Sequence, residues 1–120
     1  MTTVLIADDE DAIRGGIHFV LRRYKGYDVL EARDGKECME IIKEKKVDLV
    51  ILDLRIPIID GYRLLELIRK IEVYKDTPIL VYSAYIMDEQ DSVLMNQATR
   101  VLRKPFDIAK LVDLISVFTQ

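Results

Sequence analysis

Residues 47–54 read VDLVILDL, and apart from Asp48 and Asp53 every one of them is a branched aliphatic. Such a run lacks the alternation of a half-exposed strand. It is the pattern of a parallel strand covered on both faces. Its length suits a strand better than a helix. Four further short runs share its character: Val4–Ala7, Tyr27–Ala32, Pro78–Tyr82 and Thr99–Leu102. Between the runs the apolar residues recur at helical spacing: Ile13, Ile17, Val20, Leu21 and Tyr24; then Cys38, Ile41 and Ile42; then Leu64, Leu65, Ile68 and Ile71; and finally Ile108, Leu111, Val112 and Ile115. The segment 88–97 is weakly patterned, with Val93 and Leu94 as its anchors.

Short polar acceptors precede the helices. Asp11, Asp34, Asp60 and Asp107 are the expected caps. Gly15-Gly16 inside the first helix runs against propensity by roughly 1 kcal/mol each, and close helix–sheet packing is the expected reason. Strands alternating with helices form a parallel sheet with right-handed crossovers. The predicted architecture is α/β: a (βα)5, flavodoxin-like, doubly wound, five-stranded parallel sheet of order 2-1-3-4-5 with helices on both faces.

The 120 residues fall within the roughly 100–200 typical of one domain, so residues 1–120 are read as a single domain. Eighteen basic against 21 acidic residues leave a net charge of −3, against the basic footprint of a nucleic-acid binder. One cysteine, Cys38, excludes a disulfide framework and a multi-cysteine zinc site, and its place on an apolar stripe reads as buried and inert. No apolar run approaches the ~18 residues of a membrane span. The start MTTVLIADDE lacks the basic n-region of a signal peptide, so a cytoplasmic location is expected.

In such sheets ligands bind beyond the carboxyl ends of the strands, where strand order reverses. Strand 1 ends in Asp8-Asp9, followed by Glu10 and Asp11; strand 3 ends in Asp53, strand 4 in Ser83, and strand 5 in Lys104-Pro105. Asp8, Asp9 and Asp53 flank the reversal and should converge. Two unit charges about 4 Å apart repel by ~4 kcal/mol at an effective dielectric near 20. Lys104 offsets one charge. A divalent ion offsets more, and an all-oxygen site with open positions suits Mg2+. A carboxylate, a hydroxyl and an ammonium facing a metal suit phosphoryl transfer. His18, away from the strand ends, reads as an ordinary surface or core histidine, and Lys43–Lys46 as a solvated helix face.

VLIADDE at the first strand, DLRIPIIDG after the third, VYSA at the fourth and RKPF at the fifth occur in order along essentially the whole chain. Together they resemble a response-regulator receiver domain, the phosphoacceptor half of two-component signalling. The resemblance implies that Asp53 is phosphorylated, that Asp9 ligates Mg2+ directly with Asp8 assisting, and that the Arg55 backbone carbonyl completes the protein ligands. It implies that Ser83 and Lys104 bind the phosphoryl oxygens. The donor would be a phosphohistidine on a sensor histidine kinase or a histidine phosphotransfer protein. The output would run through a downstream protein target or an output domain, with no direct contact to nucleic acid or membrane, and with phosphorylation-dependent dimerisation as a family possibility.

Many receivers place Tyr or Phe where this chain has Val101, so the usual aromatic readout is missing, and Tyr82 and Tyr85 are the candidate substitutes. Arg55 and Tyr85, two residues beyond Asp53 and Ser83, occupy places that flank the path of hydrolytic water. Both are large and are expected to lengthen the life of the acyl phosphate. Two other readings compete. A Mg2+-dependent phosphohydrolase would use Asp53 as nucleophile, but haloacid-dehalogenase-like enzymes carry an Asp-x-Asp pattern after strand 1 and a cap region. An unphosphorylated interaction module would have no use for the intact polar set.

Overall fold

A computed structural model describes residues 1–84, 96–103 and 107–119. In chain order these form β1 (Thr3–Ala7), α1 (Asp11–Val20), a π-helical turn (Leu21–Lys25), β2 (Asp28–Ala32), α2 (Gly35–Glu44), β3 (Leu49–Asp53), α3 (Gly61–Arg69), a short 3-10 turn (Glu72–Tyr74), β4 (Ile79–Ser83), β5 (Arg100–Arg103) and α4 (Ile108–Phe118). The five strands are parallel in the order β2-β1-β3-β4-β5, as expected. Most of the helix expected over 88–97 lies outside the described residues, with its anchors Val93 and Leu94.

The two-residue side-chain period of the strands divides the core in two. On one face Leu5, Ala7, Val50, Leu52, Ile79 and Val81 meet Cys38, Met39 and Ile42 of α2 and Leu64, Leu65 and Ile68 of α3. On the other, Val4, Ile6, Leu49, Ile51, Leu80 and Tyr82 meet Ile17 of α1 and Leu111 and Ile115 of α4. Every residue of β3 is buried, which is why its sequence does not alternate. Burial pushes the Cys38 thiol up to about 12, so it stays protonated and inert.

Asp34, Asp60 and Asp107 cap their helices, accepting the backbone N–H of Glu37, Arg63 and Ala109. Asp11 does not. The cap position of α1 is Glu10, without a side-chain bond, and the Asp11 carboxylate turns instead to Arg14. The glycine pair of α1 also departs from expectation. A Cβ on Gly15 would meet nothing within 4 Å, and one on Gly16 only Ile108 Cδ1 at 3.7 Å, so close packing does not account for them. The crowded glycines are Gly35, where a Cβ would stand 2.3 Å from the Ile59 carbonyl oxygen, and Gly61, where it would stand 2.4 Å from Leu54 Cα and 2.8 Å from the Asp53 carbonyl oxygen. The Gly61 contact seats the start of α3 against the end of β3.

Tyr24 leaves the apolar stripe. It is 71% exposed, because the π-helical turn inserts i→i+5 geometry, with Gly26 N–H reaching the Leu21 carbonyl, and turns the later residues off the buried face.

Candidate functional site

β1 and β3 lie side by side, and their carboxyl ends carry Asp8 and Asp53 in the same side-chain phase as buried Val4 and Ile6, and Leu49 and Ile51. Both acids therefore face inward: Asp8 is 0% exposed and Asp53 3%. Asp9 and Glu10, past the strand end, are exposed. Each of the four offers a carboxylate oxygen, and these oxygens all lie within 4.8 Å of one another. The convergence expected of Asp8, Asp9 and Asp53 is present, and Glu10 joins it. Its place in the acidic run was the signal available in the sequence.

The backbone orients this cluster. Asp8 Oδ1 accepts the N–H of Glu10 at 2.8 Å, and Asp53 Oδ1 accepts the N–H of Arg55 at 3.0 Å. Each bond lets a strand-end carboxylate turn back on its own loop. The Arg55 side chain is exposed. Asp8 is held from outside as well, where Arg14 Nη1 donates to its backbone carbonyl at 2.7 Å. Arg14 is only 7% exposed and also reaches Glu31 and Asp11. Burial opposes the Arg14 charge, but those two hydrogen bonds outweigh it and hold its pKa above the ordinary value.

Ser83 closes β4 and is 1% exposed; its partner in the β4–β5 register is Arg103. Lys104, the next residue, lies outside the described residues, as does Tyr85. Val101 pairs with Val81 and packs against the core on the α2–α3 face. Tyr82 is on the opposite face, fully buried, with its hydroxyl donating to Asp8 Oδ2. Burial first, and the Asp8 carboxylate second, raise the Tyr82 pKa far above that of a free phenol, so the hydroxyl keeps its proton.

His18 sits on α1, with Nδ1 2.5 Å from Glu31 Oε2 near the carboxyl end of β2, closer to a strand end than expected. Chemically, the cluster is a hard, all-oxygen donor set without thiolate or imidazole, which fits Mg2+ and not the softer transition metals. Asp53, a buried carboxylate, is part of that set.

The response regulator receiver domain family model matches residues 4–116. The chain is 37% identical over 114 residues to response regulator RR06 of Streptococcus pneumoniae, a match that takes in 93% of this chain and 50% of the relative. It is 29% identical over 118 residues to sporulation initiation phosphotransferase F of Bacillus subtilis, covering 96% and 91% of the two chains. The chain spans about half the length or less of other curated relatives that it matches, RR06 among them. Among solved structures, chemotaxis protein CheY4 of Vibrio cholerae superposes with a TM-score of 0.89 at 29% identity, covering 98% of each chain. The receiver domain of Francisella response regulator 1452 gives 0.87 at 30% identity, covering 98% and 96%. No helix among the described residues is long and apolar enough to cross a membrane.

Proposed function

The chain belongs to the response regulator receiver domain family, and from that premise we propose that it accepts a phosphoryl group from a phosphohistidine onto Asp53, with Mg2+, and signals through protein contacts. The observation that carries this reading is the meeting of the Asp8, Asp9, Glu10 and Asp53 carboxylates within 4.8 Å. So many like charges at one strand edge favour a divalent partner, each close pair repelling by ~4 kcal/mol at an effective dielectric near 20. Asp8, Asp9, Asp53 and the Arg55 backbone carbonyl would hold the ion, which would supply charge neutralisation for the incoming phosphoryl oxygens.

An Asp53 carboxylate oxygen attacks phosphorus. A P–O bond forms, the P–N bond to the donor imidazole breaks, and the imidazole leaves with the electron pair and takes a proton from solvent. The donor is already activated and a carboxylate is already ionised at neutral pH, so no general base is needed. Positioning and charge complementarity do the rest. The Ser83 hydroxyl and the Lys104 ammonium donate to the transferred phosphoryl oxygens, drawing in the loops that follow β4 and β5. The responding surface is the segment before β5 together with β5 and α4, read by a downstream protein, an output domain or a second copy of the chain. The bulk of Arg55 and Tyr85 slows loss of the phosphate to water. The setting is the cytoplasm, where the donor is a sensor histidine kinase or a histidine phosphotransfer protein.

Treating the protein with acetyl phosphate and Mg2+, trapping the acyl phosphate with borohydride and mapping the peptides tests the site. Homoserine at position 53 is the expected product. Trapping at Asp8, Asp9 or Glu10 instead would overturn the assignment.

A further inference from the structure

Asp8 lies deeper than its three carboxylate neighbours, and its oxygens are gripped from two directions. Oδ1 takes the Glu10 backbone N–H at 2.8 Å, and Oδ2 takes the Tyr82 hydroxyl. The second grip is long-range. β4 is separated from β1 by β3, so the Tyr82 ring crosses roughly two strand spacings of about 4.8 Å to reach an acid 74 positions away in sequence. It does so because Leu80 and Tyr82, Leu49 and Ile51, and Val4 and Ile6 all project to the α1–α4 face, the phase that also carries Asp8 and Asp53. Both Tyr82 and Asp8 are 0% exposed, so neither exchanges this bond freely for water.

We propose that Tyr82 is a positioning residue for the metal-side carboxylate of Asp8, fixing the plane of that carboxylate so that it meets the divalent cation without rearrangement. This rests on the Mg2+ reading above and gives the aromatic beside Ser83 a role directed inward, on the face opposite Val101. A carboxylate has about four lone-pair sites. The Glu10 N–H and the Tyr82 hydroxyl occupy one on each oxygen, which sets the plane of the carboxylate. Without the hydroxyl, Asp8 loses the one of these two tethers that comes from another strand, and its carboxylate plane is less firmly set. Groups that orient a ligand in this way typically change metal affinity by about 10–100-fold when removed.

The test measures Mg2+ affinity by calorimetric titration of the wild type, Tyr82→Phe, Tyr27→Phe and Asp9→Ala. Tyr27→Phe is the control, because it also removes a tyrosine hydroxyl from this side of the sheet, one bonded to Thr119 Oγ1. Tyr82→Phe should bind Mg2+ about tenfold more weakly while Tyr27→Phe matches the wild type. Mg2+ should also produce a tyrosine absorbance change in the wild type that Tyr82→Phe lacks, a readout that needs no variant to be equally stable. Unchanged affinity in Tyr82→Phe, or an equal loss in Tyr27→Phe, would overturn the proposal while leaving the metal reading intact. Absence of Mg2+ binding in the wild type, or full retention in Asp9→Ala, would remove the metal reading and this inference with it.

Discussion

Arg14 Nη1 donates to the Asp8 backbone carbonyl at 2.7 Å, so the edge of β1 that carries the acidic cluster is pinned by a guanidinium reaching down from α1. The same group spans Glu31 at 2.6 Å and Asp11 at 2.5 Å, three acceptors that suit a planar fork and not a lysine. Asp11 is largely solvated, so that pair adds little; the cost of truncation is the buried carbonyl left unmet. Arg14→Ala should lower stability by about 1–3 kcal/mol in urea denaturation, and Arg14→Lys should recover little of it.

Ile58, between β3 and α3, has φ of 74° and is 72% exposed. A β-branched residue in the left-handed region costs roughly 1–2 kcal/mol, and the exposed side chain returns little through burial. Ile58→Gly should raise stability by about 0.5–1 kcal/mol once the greater freedom of glycine in the unfolded chain is deducted. A lower urea midpoint would show that Ile58 makes a contact outweighing the strain.

The two glycine environments predict opposite signs. Gly15→Ala adds a methyl where nothing lies within 4 Å and should stabilise α1 by about 1 kcal/mol. Gly61→Ala forces a Cβ to 2.4 Å from Leu54 Cα and should cost about 1–3 kcal/mol. Because the obstacle is the backbone of the residue after Asp53, Gly61→Ala should also shift the amide resonances of residues 53–55, which Gly15→Ala leaves in place.

Glu31 lies between Arg14 and His18. Burial would raise its pKa, but the hydrogen bonds from His18 and Arg14 outweigh that and hold it below its ordinary 4.5. A carboxylate depressed in the folded state contributes stability above its unfolded pKa and loses it as pH falls through the folded value. The stability that wild type gains over Glu31→Gln should therefore shrink on acidification below about pH 5. The side chain is 31% exposed, so the effect is modest. A difference that stays constant into the acid range would contradict the pairing.

The parts of this structure legible in the sequence are those set by local chemistry. VDLVILDL marks β3 because a strand buried on both faces needs aliphatics throughout, and Asp34, Asp60 and Asp107 announce the helices they cap. The acids converge because strand order alone brings the ends of β1 and β3 together. What stayed hidden depends on contacts distant in sequence or on a local change of helical period. Tyr24 leaves its stripe through a π-helical turn that apolar spacing does not encode. Arg14 is a charge on α1 whose burial depends on the Asp8 carbonyl, distant from it in the pattern of the helix. The bond from Tyr82 to Asp8 requires the phase of two strands that are not neighbours.

Phosphorylation of Asp53 in a Mg2+-dependent site is tested by intact mass after incubation with acetyl phosphate. Wild type with Mg2+ should gain one phosphoryl group, and wild type with chelator and Asp53→Ala with Mg2+ should gain none. An adduct of equal extent on Asp53→Ala, or one indifferent to the metal, would contradict it.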